Sequence, residues 1–205
     1  MIEFYTFQTS NGLRVAIMLE ECGLAYRAHS VELFKGEQQA PAFLQINPAG
    51  AIPVIVDPDG PGGAAVTLSQ SGTILQYLAE KTGRFLPRDA AQRLLALQWV
   101  MFAATDCAAA SGSIFQLSVL APEKSPANVA FFEQRVLRYL RVADGRLAGR
   151  EWLADELSIA DFALYPIYAV RKSIVDTAGD LPNLTRWGAT LAARPAVAKA
   201  MGDAT

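Results

Sequence analysis

The chain has 205 residues, of which 52% are hydrophobic and 19% are charged, and its formal net charge is −2. A chain of this composition can bury a substantial core, so long disordered segments are not expected. The low net charge and the lack of a Lys and Arg cluster on any predicted helix argue against nucleic acid as a partner. The length fits one large domain or two small ones, and we expect two.

The region between Arg93 and Glu123 is the one place where a membrane span must be considered, because Asp106 is its only charged residue. Asp106 and several polar residues interrupt it, so it contains no run of about 18 apolar residues. We interpret it as a pair of buried helices and expect no membrane binding. The first residues include Glu3 and do not resemble a signal peptide, which predicts a cytoplasmic protein.

Residues 1–83 alternate between strand and helix patterns. IEFYTF is typical of a strand, LRVAIMLEEC of a helix that ends at Gly23, and YRAHSVEL of a strand with Val31 and Leu33 on one face. The helical segment PAFLQI, the strands PVIV and AAVTL and the helix SQSGTILQYLAEKTG follow. The sequence therefore predicts an α/β domain with the order βαβαββα.

Residues 90–205 show apolar residues at helical spacing and no further strand pattern. Breaks are predicted near Ser111, at APEKSP and at LAGREWLADE. The segment GRFLPRDA interrupts the periodicity before this region, as a short linker would. We therefore predict a second, all-helical domain over residues 90–205.

Metal and redox chemistry are not indicated by the sequence. Cys22 and Cys107 lie in helical patterns far apart, without a CxxC motif. The single histidine, His29, lies in a strand pattern and is interpreted as structural. No cluster of His, Cys and carboxylate residues has metal-ligand spacing, so no metal is expected.

Three small hydrogen-bonding side chains gather in TSNG, between the first strand and the first helix. One of them is explained by helix capping, since Ser, Thr and Asn accept hydrogen bonds from the free N–H groups that begin a helix. The segment also follows the carboxyl end of a strand, where α/β sheets usually bind ligands. Capping and anion binding both remain open, because a helix N-terminus serves both.

Three further motifs have both a structural and a functional interpretation. Gln70 and Ser71 begin a predicted helix and suit either an N-cap or a carboxylate site. In Ile52–Pro53 the proline begins a strand, where it is tolerated, and the pattern alone favours a trans bond. Ser158 and Asp161 have the S-x-x-D form of a capping box, and we interpret them as structural.

Taken in order, TSNGLR, FLQINPAGAIPVI, LSQSGTILQYLAE and LSIADFALYP resemble a cytosolic glutathione transferase over nearly the whole chain. The T-x-N-G form, with KGEQ after the second strand, is most similar to the bacterial nu-type enzymes, which also reduce disulfides of glutathione. The resemblance implies a thioredoxin-like N-terminal domain, an all-α C-terminal domain and a cis Ile52–Pro53 bond. It also implies a cytoplasmic homodimer with a role in detoxification, and the uncharged stretch from Leu94 to Pro122 offers a surface for dimerisation.

The same resemblance implies that Thr9 and Asn11 hold the glutathione sulfur. Successive residues leaving a strand diverge, so we expect one of the three to cap the helix, and we assign Ser10 to that role or, as second choice, to thiol activation. Lowering a thiol pKa of about 8.5 by about two units requires roughly 2.7 kcal/mol of anion stabilisation. One or two hydrogen-bond donors supply this amount, so no general base is required.

Other site residues also follow from the resemblance. Gln38 would bind the glycyl end of glutathione, the main chain of Ile52–Pro53 its cysteinyl part, and Ser71 its γ-glutamyl carboxylate. Gln70 stands where the nu-type enzymes usually have an acidic residue, a departure that removes one charge partner of the γ-glutamyl ammonium. Arg138, in VLRYLRVADGRL, matches an arginine that reaches the active site of the partner subunit.

These expectations leave two classes of function. The first is a glutathione transferase that activates the glutathione thiol for attack on a small-molecule electrophile, a peroxide or a disulfide. The alternative is a catalytically inactive glutathione-binding or interaction protein with the same fold. The intact TSNG, Ile52–Pro53 and Ser71 favour the enzyme. The second substrate pocket is not predicted beyond Trp99, Phe102 and Phe115 as candidates, since aromatic residues at helical spacing are usually core.

Overall fold

The structure, a computed structural model, describes residues 1–202 and divides into two units. One unit comprises Met1–Arg84 together with the chain from Pro195 onward, and the other comprises Phe85–Arg194. The first boundary lies within the predicted linker. The second differs from the prediction, because the sequence assigned everything after residue 90 to the helical domain. The last residues of that prediction, 203–205, lie outside the described part of the chain.

The N-terminal unit has the predicted order βαβαββα. Its strands are β1 Ile2–Thr6, β2 Tyr26–Ser30, β3 Val54–Asp57 and β4 Val66–Ser69. Its helices in this order are α1 Ser10–Cys22, α2 Pro41–Ile46 and α3 Ser71–Thr82. The sheet order is β2-β1-β3-β4, with β1 and β2 parallel and the other pairs antiparallel. The thioredoxin-like arrangement expected from the sequence is confirmed.

Strand β2 is shorter than predicted. It pairs with β1, and the ladder ends at the pair Thr6 and Ser30, where β1 turns toward α1. Val31 is buried as expected, and its N–H still reaches the Thr6 carbonyl. Leu33, predicted on the same strand face, lies instead in the 3₁₀ turn Leu33–Lys35. A strand pattern in the sequence does not show where the partner strand stops.

The topology brings several loops to one edge of the sheet. Thr6 at the end of β1 pairs with Ser30 at the end of β2. Tyr5 pairs with Val54 at the start of β3, and Val54 pairs with Ser69 at the end of β4. The segments after β1, β2 and β4 and the segment before β3 therefore all leave the sheet at the same edge.

The second unit is all-helical in the part of the chain that the structure describes, as predicted. Its helices are α4 Ala90–Leu120, α5 Pro126–Leu147, α6 Ile159–Val170, α7 Lys172–Ala178 and α8 Pro182–Ala192. Helix α6 forms the centre of this unit, because every residue from Ile159 to Tyr168 is buried.

Helix α4 is continuous, so the predicted break near Ser111 and the predicted pair of helices are wrong. The helix contains two π-helical segments, Phe102–Cys107 and Gln116–Leu120, which accommodate extra residues without ending it. Ser111 is buried, and Arg171 donates hydrogen bonds to both its hydroxyl and its carbonyl, at 2.9 and 2.7 Å. The serine is therefore satisfied inside the helix.

Length and composition alone would allow α4 to cross a membrane, and it is the one helix of the described chain with that property. The core helix of a soluble protein meets the same criterion. One face of α4, including Ala96, Trp99 and Ala103, is buried in the protein. The apolar character of α4 is therefore explained in part by its core contacts.

A final helix, α9 Pro195–Met201, belongs to the N-terminal unit. It packs against α1, with Val197 buried and Lys199 Nζ 2.9 Å from Glu20 Oε2. This contact explains the misplaced domain boundary. Helical periodicity shows that a segment has an apolar face but not which domain covers it.

Candidate functional site

Thr9 caps α1. It has extended backbone angles, φ −128° and ψ 158°, and its Oγ1 accepts a hydrogen bond from the Gly12 N–H at 3.1 Å. Ser10 is the first residue of the helix, so its assignment as the cap is wrong. A threonine hydroxyl that accepts one hydrogen bond still has its own proton to donate. Capping and anion binding by Thr9 are therefore compatible.

Gly12 allows α1 to begin close to β1. A Cβ at this position would collide with the Phe7 carbonyl oxygen and lie 2.5 Å from Thr6 Oγ1. The neighbouring atoms include main chain, which cannot move aside without displacing the turn. The glycine of TSNG therefore has a structural role that fixes the position of Thr9 and Asn11.

We expect Gly12→Ala to lower the free energy of unfolding by about 1–3 kcal/mol, because the added methyl group overpacks this turn. Gly145→Ala is the matched control. Gly145 also lies inside a helix, but nothing approaches its added Cβ within 4 Å. This control is expected to gain about 0.5–1 kcal/mol from higher helix propensity. Urea denaturation of the two variants measures both effects, and equal changes would contradict the steric explanation.

Asn11, Arg14 and Ser71 form a hydrogen-bonded cluster at this edge of the sheet. Arg14 Nη1 lies 2.7 Å from Asn11 Oδ1 and 3.1 Å from Ser71 Oγ. Arg14 is only 1% exposed, and Ser71 is also buried. The cluster joins the N-termini of α1 and α3, which both favour negative charge.

Arg14 was not identified from the sequence. The sequence does contain an indication of its role, because Arg14 stands among the apolar residues Leu13, Val15 and Ile17, and all four are buried in α1. A charged side chain is rarely fully buried unless it is paired. The identity of its partners depends on the distant Ser71 and could not be predicted locally.

The structure does not support capping as the role of the Gln70 and Ser71 side chains. Gln70 occupies the N-cap position of α3 without a side-chain capping bond, and the Ser71 hydroxyl contacts Arg14 instead. Gln70 has φ 71° and ψ 109°, a backbone conformation that L-residues rarely adopt. Such strain costs of order 1–3 kcal/mol and is concentrated at functional sites.

The Ile52–Pro53 peptide bond is cis, as the family resemblance implied. The sequence pattern without that resemblance favoured a trans bond. The Ile52 side chain packs against a core cluster that includes Phe43 and Val54. Its main-chain N–H and C=O make no backbone hydrogen bond among the described residues. Because strand pairing begins only at Val54, this peptide group is available to a ligand at the edge of the sheet.

Gln38 lies in the 3₁₀ turn Glu37–Gln39 that follows β2. This turn packs against Gly50, where an added Cβ would lie 2.5 Å from Gln39 Nε2 and 3.2 Å from the Gln38 carbonyl. The turn is thereby placed beside the loop that leads to Ile52. The Gln38 Oε1 atom is buried and has no hydrogen-bond partner in the described chain. Because this oxygen is enclosed, a contact from Gln38 to a ligand would use its NH₂ group, which has two donors.

Arg138 lies in the other unit, on an exposed part of α5. Its guanidinium carbon is 5.2 Å from the centre of the Tyr139 ring, and Arg135 Nε donates to Tyr139 Oη at 3.1 Å. The hydrogen bond from Arg135, and then that from Arg138, lowers the pKa of the Tyr139 phenol. The role of Arg138 in a partner subunit remains a prediction.

The other chemically reactive side chains have structural partners. His29 Nε2 lies 2.5 Å from Glu3 Oε2, and its ring stacks on Tyr5. The Cys22 thiol contacts Thr82 Oγ1 at 3.4 Å, and burial raises its pKa, which makes it less reactive. Within the described residues there is no group of three or more His, Cys, Asp and Glu residues that could hold a metal ion.

Comparison with known sequences identifies relatives of the chain. The glutathione S-transferase N-terminal domain matches residues 10–81, and the glutathione S-transferase C-terminal domain matches residues 107–195. The disulfide-bond oxidoreductase YfcG of Escherichia coli (strain K12) is 36% identical over 204 residues, 98% of this chain and 94% of that protein. The disulfide-bond oxidoreductase YghU of the same organism is 32% identical over 210 residues, 96% of this chain and 72% of that protein.

Solved structures show the same fold. The glutathione transferase from Pseudomonas putida, crystallised with one glutathione disulfide per subunit, has a TM-score of 0.90 and 36% identity, covering 98% of this chain and 90% of that one. The glutathione transferase from Burkholderia graminis, with two glutathione molecules per subunit, has a TM-score of 0.90 and 38% identity, covering 98% and 87%. The two matched domains and the relatives that share both units show that the chain belongs to the glutathione S-transferase family.

Proposed function

We propose that this protein binds glutathione at the sheet edge described above and activates its thiol as thiolate for the reduction of disulfides. The observation that carries the proposal is the convergence of anion-binding groups at the N-termini of two helices. The Thr9 hydroxyl and the Asn11 amide stand at α1, and the Ser71 hydroxyl stands at α3. The available Ile52 peptide group suits the cysteinyl part of the tripeptide, and the Gln38 amide, whose NH₂ group has two donors, is assigned to the glycyl end.

The relatives support disulfide chemistry over other reactions of glutathione. Two of them are named disulfide-bond oxidoreductases, and the related structures hold glutathione disulfide or two glutathione molecules in each subunit. Conjugation of electrophiles, as in detoxification, and peroxide reduction use the same thiolate and are proposed as secondary activities. A glutathione-binding protein without turnover is the alternative.

The proposed reaction is thiol–disulfide exchange between glutathione and a small-molecule disulfide. The bound thiolate attacks one sulfur of the disulfide, forming a new S–S bond while the other half leaves as a thiolate and takes a proton from water. A second glutathione thiolate then attacks the glutathione sulfur of the mixed disulfide, so that glutathione disulfide is released and the remaining half of the substrate leaves as a second thiolate, which also takes a proton from water. One disulfide is reduced and two glutathione molecules are oxidised, so electrons balance without a metal or a protein cysteine.

The protein's contribution is stabilisation of the thiolate. A hydrogen bond to a charged group is worth about 1.5–3 kcal/mol, and a helix N-terminus adds about 0.3–1 kcal/mol. Thr9 and Asn11 are assigned to the sulfur, with Ser10 as the second candidate. Ser71 is assigned to the γ-glutamyl carboxylate, beside Gln70.

The proposal is tested with Thr9→Ala, Asn11→Ala and Ser10→Ala. Each of the first two is expected to raise the pKa of bound glutathione, measured from thiolate absorbance against pH, and to slow reduction of a disulfide substrate. Thr9→Ala should in addition cost about 0.5–2 kcal/mol of stability, because Thr9 is the cap. Thr9→Ser, which keeps the hydroxyl, is the control.

The outcomes separate the alternatives. If only Ser10→Ala raised the thiol pKa, the site would be a serine type and the assignment would be wrong. Glutathione binding without turnover on a panel of electrophiles, peroxides and disulfides would instead identify a binding protein.

We also propose that the protein is a homodimer. We place it in the cytoplasm, since glutathione is kept reduced in that compartment. Helix α4 exposes Leu94 and Met101, which are 69% and 57% accessible in the single chain, and a second copy would cover such apolar residues. Arg138 is proposed to act in the partner's site within that dimer. Sedimentation at micromolar concentration is expected to give twice the chain mass, and a monomer would overturn both the homodimer and the role of Arg138 in the partner's site.

A further inference from the structure

The guanidinium of Arg14 contacts both ends of the proposed glutathione site. Its Nη1 donates to Asn11 Oδ1 at the N-terminus of α1 and to Ser71 Oγ at the N-terminus of α3. Asn11 is assigned to the thiolate and Ser71 to the γ-glutamyl carboxylate of the same ligand. One fully buried side chain therefore links the two groups that bind opposite ends of the tripeptide.

The chemistry of these contacts decides which atoms remain for a ligand. A guanidinium group has only hydrogen-bond donors. The Asn11 atom that faces it must therefore be the amide oxygen, which leaves the NH₂ group as the free end of the amide. Ser71 Oγ accepts from the same nitrogen, so its single proton is still available to donate. In both cases an acceptor is occupied and a donor is left.

We propose that Arg14 is a positioning residue that turns Asn11 and Ser71 into donors for the two anionic groups of glutathione. The inference rests on the proposed function for the identity of the ligand. Without the arginine, the Asn11 amide could rotate and present its oxygen to the thiolate, which would repel it.

The test compares Arg14→Met, Arg14→Gln and Arg14→Lys with the wild-type protein. Met removes both contacts, and the neutral Gln has an acceptor as well as a donor, so it does not fix the Asn11 amide. Both are expected to raise the pKa of bound glutathione by about one unit or more and to weaken its binding about tenfold or more. Lys keeps the charge and has only donors, and it is expected to restore most of the pKa shift.

A double-mutant cycle distinguishes positioning from a general effect of charge or stability. If Arg14 acts through Asn11, then Arg14→Met should change the thiol pKa much less in the Asn11→Ala background than in the wild type. The corresponding cycle with Ser71→Ala should show the same non-additivity in glutathione affinity. Calorimetry and thiolate absorbance supply the two measurements.

Arg146→Met is the matched control. Arg146 also makes two hydrogen bonds, to the Leu153 carbonyl and to Asp155 Oδ1, both at 2.8 Å, but it lies in the helical unit. It should lower stability and leave the thiol pKa unchanged. If Arg14→Gln, checked for folding by circular dichroism, did the same, Arg14 would be only structural. A wild-type protein that does not bind glutathione would overturn the proposed function together with this inference.

Discussion

Replacing Asp161 by alanine is expected to lower the free energy of unfolding by at least about 3 kcal/mol, since it leaves three buried donors unsatisfied at about 1–3 kcal/mol each. The carboxylate accepts from the Leu153 N–H at 3.1 Å, the Ser158 N–H at 3.0 Å and Trp187 Nε1 at 2.9 Å. Asp161 and Trp187 are completely buried, so water does not replace the lost acceptor. The capping box predicted from the sequence is confirmed, and its carboxylate also anchors α8.

Urea denaturation of the variant gives this value, and Ser158→Ala serves as its comparison. Ser158 contributes the other half of the capping box by accepting from the Ala160 N–H at 3.3 Å. Its loss should cost about 0.5–2 kcal/mol, as for an ordinary cap. If Asp161→Ala cost no more than Ser158→Ala, the contacts to Leu153 and Trp187 would contribute nothing.

The same carboxylate gives a pH dependence with a defined sign. Burial raises the pKa of Asp161 from 3.8 to about 6, against the opposing effect of its hydrogen bonds. The stability that this group contributes is therefore fully present below the unfolded pKa and is lost as the pH rises through about 6. Relative to Asp161→Asn, which does not titrate, the wild type should lose up to about 3 kcal/mol between pH 4 and 7.

Ser71→Ala is expected to weaken glutathione binding by about 1.5–3 kcal/mol, which is roughly tenfold to over a hundredfold in affinity. The reason is the loss of a hydroxyl donor that we assign to the γ-glutamyl carboxylate. The pKa of the bound thiol should change little, because Asn11 keeps its own hydrogen bond to Arg14. Titration calorimetry and thiolate absorbance measure the two quantities.

Ser173→Ala is the control for this experiment. Ser173 is an exposed serine on α7, and its replacement should alter neither the affinity nor the thiol pKa. Unchanged affinity in Ser71→Ala would exclude the carboxylate assignment. A raised thiol pKa with normal affinity would place Ser71 at the sulfur instead.

The elements that the sequence predicted well are those specified by residues close together in the chain. Gly23 and Gly83 end α1 and α3 in the left-handed conformation that glycine adopts easily. The box formed by Ser158 and Asp161 begins α6 through contacts three residues apart. Strand and helix periodicity gave the order βαβαββα for the same reason, since it reflects the local alternation of buried and exposed residues.

Tertiary structure decided what depends on distant partners. Ser111 did not break α4, because Arg171, sixty positions away, satisfies it. Arg14 meets Ser71 across 57 positions, a contact that depends on how α1 and α3 dock against the sheet.

By itself the sequence determined the two-part organisation, the family and the motifs TSNG, Ile52–Pro53 and Gln70–Ser71. It did not determine which member of TSNG is the cap, because that depends on where β1 stops and the turn begins. Nor did it determine the backbone conformation of Gln70 or the position of α9 on α1. These features arise from strand register and interhelical contacts, which place side chains in three dimensions and are not encoded in any short segment.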